Sequence, residues 1–459
     1  MLTAKDARIG DPSNVQELLA RAQKPSVDAM RLHPFYRGKI EVVPKACIRS
    51  LDDFAIWYTP GVAAPCRAIE RDPELVYEHT NKWNTIAVVS DGTRVLGLGD
   101  IGPKAGLPVM EGKALLFKYL GGVDAVPIML DTKDPDEIIR TVLLLQPAFG
   151  GVNLEDIAQP KCFRILDTLR ERAEIPVWHD DQQGTACVTV AALLNALKIV
   201  GKALDEVKIV FLGCGASIVA ITRLCFAIGV DPAKCIVVDS CGILNEQRTD
   251  IFSDRERFAE KWKLCQITNA AGNEGSAAEA LIGADVCIAL SQPGPGTLPA
   301  EWVREMAHDA IVFACANPVP EIWPWEAAAA GARIVATGRS DFPNQVNNSL
   351  GFPGIFRGAL DVRATTITDE MCIAAAQALA AAAPDGGLNP ECILPPMTDW
   401  EVYAREAVAV GMKAQEQGVA RLSLTEDELF GQAADMILRA RRLTETMMET
   451  DFIPSPPGA

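Results

Sequence analysis

From about Thr85 onward one pattern recurs along the chain. A short run rich in Val and Ile stops at a polar residue or a glycine, and a helix-like stretch follows. The runs are Ile86–Ser90, Val123–Leu130, Pro176–Trp178, Lys208–Leu212, Cys235–Val238, Val286–Leu290, Ile311–Ala316 and Arg333–Ala336. They are apolar throughout rather than alternating, which suits strands buried on both faces. Strands that alternate with helices predict an α/β fold with mainly parallel sheets.

The residues that stop these runs include Asp91, Asp131, Asp180, Gly213, Asp239, Ser291, Asn317 and Thr337. In open α/β sheets, ligands bind beyond the carboxyl ends of the strands. These residues are therefore the first candidates for a site, although any one of them alone also fits a helix cap or a turn.

A chain of 459 residues is too long for one ordinary core, so two or three domains are expected. The formal charge of −17 lacks the basic field of a free-standing nucleic-acid binder. Anionic substrates remain open, since they need only a local pair of cations. The Ala-rich stretch Met371–Ala383 is too short to span a bilayer, and the N-terminus lacks a signal peptide's apolar core, so no membrane association is expected. Thirteen cysteines show no zinc-type spacing and predict reduced core thiols and a cytoplasmic setting.

Near the N-terminus a helix is expected around Val15–Gln23, with a loose arm before it. The last hundred residues read as helical. Thr368 with Asp369 and Glu370 marks one start, and Thr398-x-x-Glu401 and Thr425-x-x-Glu428 have the capping-box pattern. Pro384–Pro396 reads as a loop and Ile453–Ala459 as a disordered tail.

Three motifs carry chemistry. The strand Val207–Phe211 runs into Gly213-Cys214-Gly215-Ala216-Ser217-Ile218 and a helix, where small residues let the backbone approach a pyrophosphate. Asp239 ends the next strand, 26 residues after Gly213, where an acid accepts hydrogen bonds from ribose hydroxyls. Two adjacent acidic pairs follow apolar or Gly-rich stretches, Glu155-Asp156 and Asp180-Asp181. They fit either a Mg²⁺ or Mn²⁺ site or two surface helix caps. His179 reads as structural. Tyr58 stands at a turn ahead of a helix, and Lys113 where a glycine opens one. The amides of Asn344–Asn348 fit either a carboxylate-binding loop or an Asn-rich turn.

Taken together, the segments HPFYRGKIEVVPK (33–45), YTPGVAAPC (58–66), SDGTRVLGLGDIG (90–102), MEGKALLFK (110–118), NLED (153–156), HDDQQGTA (179–186), ACANPVPE (314–321) and ATGRSDFPNQVNNSLGFPGIFRGALD (336–361) resemble the malic enzyme family, in its short bacterial form. The resemblance runs from about residue 33 to 364. It implies an N-terminal α/β catalytic domain at 1–185. A Rossmann-like, doubly wound parallel-sheet NAD(P)-binding domain with C-terminal helices follows at 186–425. A last helix and tail occupy 426–459. It also implies a homodimer or larger assembly.

By residue, the resemblance implies Tyr58 as general acid, Lys113 as general base and Asp180 as the carboxylate that holds the lysine. Glu155, Asp156 and Asp181 match the metal ligands. Arg94 matches a binder of a substrate carboxylate, and Asn317 and Asn348 match amides near nicotinamide and malate. Gly213, Cys214, Gly215, Ala216 and Ser217 match the pyrophosphate loop, with Asp239 and Ser291 beside the cofactor.

The implied reaction is oxidative decarboxylation of L-malate to pyruvate and CO₂ with NAD or NADP and Mg²⁺ or Mn²⁺. A lysine in such a cleft, next to a dication, is expected to have a lowered pKa. Ile218, where many members carry glycine or alanine, is expected to set the loop slightly further from the diphosphate. No cation immediately follows Asp239, which mildly favours NAD. Malolactic conversion to lactate and dehydrogenation of another 2-hydroxy acid remain alternatives. A silent NAD-binding regulatory protein would be free to lose Tyr58, Lys113 or a metal ligand, and all are present.

Overall fold

The structure is a computed structural model that describes residues 15–382 and 387–457. The expected N-terminal arm and the opening residues of the Pro384–Pro396 loop lie outside the described residues.

The apolar runs form two sheets. Strands β1 (Thr85–Ser90), β2 (Asp124–Met129), β3 (Gly151–Leu154) and β4 (Val177–His179) make a parallel sheet in the order β2-β1-β3-β4. Strands β5 (Ile209–Leu212), β6 (Ile236–Asp239), β7 (Gly242–Ile243), β8 (Val286–Ala289), β9 (Ile311–Ala314) and β10 (Ile334–Thr337) make a second sheet. Its order is β10-β9-β8-β5-β6-β7, parallel except for the β6–β7 pair. This is the expected α/β architecture. β3 was not expected, because Gly150 and Gly151 read as a loop; the Val152–Leu154 stretch is too short to show a period.

Apart from the edge strands β2 and β7, the strands of both sheets are buried on both faces, which explains their unbroken apolar runs. Ile86 and Val88 enter one cluster while Ala87 and Val89 enter another. In β5, Ile209 and Phe211 face the first cluster and Val210 and Leu212 a third. The first cluster joins the two sheets through the helix Thr185–Val200. With the helical turn before it, the stretch Asp180–Val200 is long and apolar enough to cross a membrane, but 72% of it is buried inside the protein.

The C-terminal helices cover the N-terminal sheet as well as the Rossmann-like one. Leu120, on the helix Pro103–Gly121, packs with Tyr403, Ala407, Ala433 and Ile437. Gly354 and Gly358 allow the helix Phe352–Asp361 to cross Trp400–Glu416 closely, since a β-carbon on Gly358 would stand 2.3 Å from the Ala407 carbonyl oxygen. Arg357, fully buried, bonds Asp361 at 2.7 Å and Asn84 at 2.5 Å, so it pins this helix to the start of β1.

Several local expectations are corrected. The first helix runs from Val15 to Tyr36 rather than ending near Gln23. Thr368 and Thr425 are N-caps, but Asp399 rather than Thr398 caps Trp400–Glu416 by accepting from the Glu401 N–H. The tail is docked through residue 457: Tyr36 Oη donates to the Pro454 carbonyl at 2.8 Å, and Arg31 to that of Pro457.

Glu406 is fully buried, and neither carboxyl oxygen has a hydrogen-bond partner. Burial holds its carboxyl well above the usual range. The folded protein keeps a proton that the unfolded chain releases above pH 4.5, so stability falls as pH rises from there toward the folded pKa. Glu406→Gln removes that loss. Its stability gain over wild type grows between about pH 5 and about pH 8, by about 1.4 kcal/mol per pH unit while the folded group stays protonated. Calorimetry at both pH values checks this; an equal gain at each contradicts it.

Candidate active site

Strand register brings the acids together. Val89 pairs with Leu154 and Leu154 with His179, so the residues that follow, Glu155 and Asp180, leave the carboxyl edge of the sheet side by side. Glu155, Asp156 and Asp181 place carboxylate oxygens within 4.8 Å of one another. Asp156 takes a positive φ of 54°, and its N–H donates to Asp181 Oδ2 at 2.8 Å. These are not surface caps, since Glu155, Asp156 and Asp180 are all buried.

Lys113 reaches this edge from the helix Pro103–Gly121. Met110, Lys113, Ala114 and Phe117 recur at helical spacing and form its buried face. Lys113 is thus mid-helix, not at a helix start. Its Nζ bonds Asp180 Oδ2 at 2.5 Å, lies 3.0 Å from Glu155 Oε1, and sits 4.3 Å from the centre of the Phe352 ring. Burial pushes the lysine pKa down, but Asp180 and Glu155 outweigh it and raise it above the ordinary value. The protein's own groups therefore act opposite to the expected lowering.

Asp180 is held by three donors. Trp178 Nε1 donates to Oδ1 at 3.1 Å, while Lys113 and the Asn348 amide share Oδ2. A β-carbon at Gly184 would stand 2.0 Å from Asp180 Oδ1, so only glycine fits that turn. Burial pushes Glu155 well above the usual range and Asp156 to about 8, with neighbouring carboxylates adding to the effect. His179 is buried with both ring nitrogens unpartnered and Nδ1 3.7 Å from Asp181; burial lowers its pKa.

Arg94 donates its backbone N–H to the Asp156 carbonyl at 3.0 Å, and its exposed guanidinium has no partner among the described residues. Across the cleft, a β-carbon on Gly97 would stand 2.4 Å from the Asn317 carbonyl oxygen, so the loop after Arg94 touches the second sheet's loops directly. Tyr58 is not gathered with these groups. Its side chain is 72% exposed, and no hydrogen bond joins it to Lys113 or Asp180.

On the second sheet, Leu212 pairs with Val238 and with Ala289, so Gly213, Asp239 and Leu290 emerge together. Gly213 has φ +111°, and a β-carbon there would stand 2.5 Å from the Leu290 carbonyl oxygen. Gly215 is the N-cap of the helix Ala216–Ala227, which aims its N-terminus at the loop. Ile218 is fully buried in the core and does not line the loop, so its bulk does not set the loop's distance from a diphosphate.

Residues 37–170 match the family model "Malic enzyme, N-terminal domain", and residues 182–415 match "Malic enzyme, NAD binding domain". The chain belongs to the malic enzyme family. It is 49% identical over 402 residues to the bifunctional malic/malolactic enzyme of Bacillus subtilis, covering 88% of this chain and 96% of that one. It is 51% identical over 384 residues to the NAD-dependent malic enzyme of Geobacillus stearothermophilus, covering 84% and 78%. The crystal structure of Entamoeba histolytica malic enzyme superposes with a TM-score of 0.94 at 49% identity, covering 97% and 92%.

Sequence reasoning missed some of the groups that build this malic enzyme's site. Glu321 is buried and accepts from the N–H groups of Ser291 at 2.8 Å and Ala316 at 3.1 Å, so it ties two strand-end loops together. Asp91, one of the strand-end candidates, is instead paired with Lys161 and Thr93, which makes it a brace for β1. Asp239 is paired with Arg248 at 3.0 Å and Lys261 at 3.1 Å, two cations too far along the chain to be noticed beside it. Burial pushes the Asp239 carboxyl up, and Arg248, the Cys241 N–H and Lys261 outweigh that and keep it ionised.

The acids fit a divalent cation. Asp156 Oδ2 is buried without a partner, and the donor set is all carboxylate oxygen. Asp156→Asn is expected to weaken Mn²⁺ binding by about tenfold or more, read by isothermal titration calorimetry. Unchanged affinity removes Asp156 from the ligand set.

Proposed function

We propose that this malic enzyme oxidatively decarboxylates L-malate to pyruvate and CO₂ with NAD(P), using a divalent cation. The observation that carries the reading is the buried Lys113–Asp180 pair at 2.5 Å, set beside the cluster of Glu155, Asp156 and Asp181. When bound, the cation (Mg²⁺ or Mn²⁺) polarises the C2 oxygen of malate, and the nicotinamide accepts hydride from C2.

The chain's own residues do the rest. Lys113 takes the C2 hydroxyl proton, and Asp180 orients the lysine and stabilises its charge. Its neutral form requires relief from one carboxylate, and Glu155 is the one shared with the metal-binding set. Arg94 pairs with a substrate carboxylate through its unengaged guanidinium. Asn348 fixes the Asp180 carboxylate from the other side, and Asn317 borders the cleft where the two sheets meet. Loss of the C4 carboxylate leaves a carbanion at C3 that takes up a proton, and Tyr58 can supply it only if its exposed segment closes onto the site. The loop Gly213–Ser217 takes the dinucleotide's pyrophosphate.

Release of lactate is the second reading, favoured by the 49% identity to the bifunctional malic/malolactic relative. The test is absorbance at 340 nm with L-malate, Mn²⁺ and either NAD or NADP, with pyruvate and lactate assayed at the end. Rising absorbance with pyruvate is expected. Flat absorbance with lactate selects the second reading, and neither product overturns both. Lys113→Ala is expected to lose about a hundredfold or more in kcat.

We also propose self-association as a homodimer. Val42, Leu51, Ile56, Trp57 and Tyr58 are all exposed within one short segment, at 100%, 85%, 59%, 52% and 72%. So much apolar surface in one stretch calls for a cover. Light scattering is expected to return twice the chain mass of 49.3 kDa, and a monomer at micromolar concentration rejects the proposal.

A further inference from the structure

Asp239 holds the position from which a dinucleotide fold reads the adenosine ribose, where a free carboxylate accepts the ribose hydroxyls and a nearby cation accommodates a 2′-phosphate. In this chain the carboxylate is not free. Its Oδ1 accepts from the Cys241 N–H at 2.9 Å and from Arg248 at 3.0 Å. Its Oδ2 accepts from Arg248 at 3.2 Å and from Lys261 at 3.1 Å. Two bonds to each oxygen use the acceptor capacity of a carboxylate.

The two cations differ. Arg248 is spent: Nε and one terminal nitrogen bond Asp250 at 2.8 and 2.7 Å, and the other terminal nitrogen also bonds the Gly242 carbonyl at 3.3 Å. Together with the two bonds to Asp239 these engage all five N–H groups of a guanidinium. Lys261 makes one hydrogen bond, to Asp239, and its ammonium has three donors. Its side chain is 19% exposed and its ammonium also lies 5.6 Å from the centre of the Phe258 ring, which leaves donors unused beside the Asp239 carboxylate. The set Asp239, Asp250, Arg248 and Lys261 is electrically neutral, so an anion arriving there meets no net repulsion.

We propose that Lys261 is a specificity-determining residue that binds the 2′-phosphate of NADP, with Arg248 holding Asp239 in a neutralised pair that does not select NAD. This rests on the dinucleotide reading of the Gly213–Ser217 loop, and it replaces the mild preference for NAD drawn from the residues next to Asp239.

The experiment is calorimetric titration of the full chain, without substrate, using 2′,5′-ADP and ADP as probes. Wild type is expected to bind 2′,5′-ADP about tenfold tighter than ADP, the scale of one charge-assisted bond. Lys261→Gln is expected to lose about that factor for 2′,5′-ADP while ADP affinity stays unchanged, which also shows that the site is folded. Equal or tighter binding of ADP by wild type overturns the proposal and leaves the dinucleotide reading intact. So does a Lys261→Gln effect that is absent or the same for both probes. If neither probe binds, the dinucleotide reading of this loop falls, and the proposal with it.

Discussion

Lys113 lies under the ring of Phe352 with two carboxylates against it, and the rest of the site is arranged around that buried charge. An ammonium taken out of water is tolerated only when paired and hydrogen-bonded. The pairing depends on the β3–β4 register, which brings Glu155 and Asp180 to the same edge, and on the helical spacing that turns Lys113 inward. One lysine does not balance four acids. Glu155 and Asp156 are pushed up because burial and mutual repulsion exceed what Lys113 offsets. The polypeptide thus leaves a deficit of positive charge at the sheet edge, and the unpartnered Asp156 Oδ2 marks where it falls.

Much of the fold was legible because strands buried on both faces leave an unmistakable apolar run. The strands that failed to show were β3, which opens on a glycine pair, and β7, two residues long. The acidic pairs could not be read from spacing alone. Whether Glu155 and Asp180 meet is decided by register between distant segments, and only the family resemblance anticipated it. The error over Lys113's place in its helix has a similar root. Gly112 looked like an opening, but a helix already started by Pro103 carries a glycine in its interior at a modest cost.

Asp239 shows a different limit. Local sequence found the acid at the strand end and searched its neighbours for a cation. Arg248 lies beyond the β7 turn and Lys261 on the helix Ala259–Ile267, so both return to the carboxylate only through the folded path. Glu321 was missed for the same reason, since its partners are backbone N–H groups on two other loops. Groups that act by holding loops in place leave no signature of type or spacing.

The packing of Leu120 against Ala433 and Ile437 bears on how the protein is made. A ribosome delivers the helix that carries Lys113 early and its cover last, and domains ordinarily fold as they emerge. Here the outer face of that helix stays uncovered until nearly the whole chain has been released. The same arrangement means that a cut after the N-terminal sheet would strip this helix of its cover. Its cover thus comes from described residues after 400, with the nucleotide-binding sheet inserted between them and β1–β4 in the sequence.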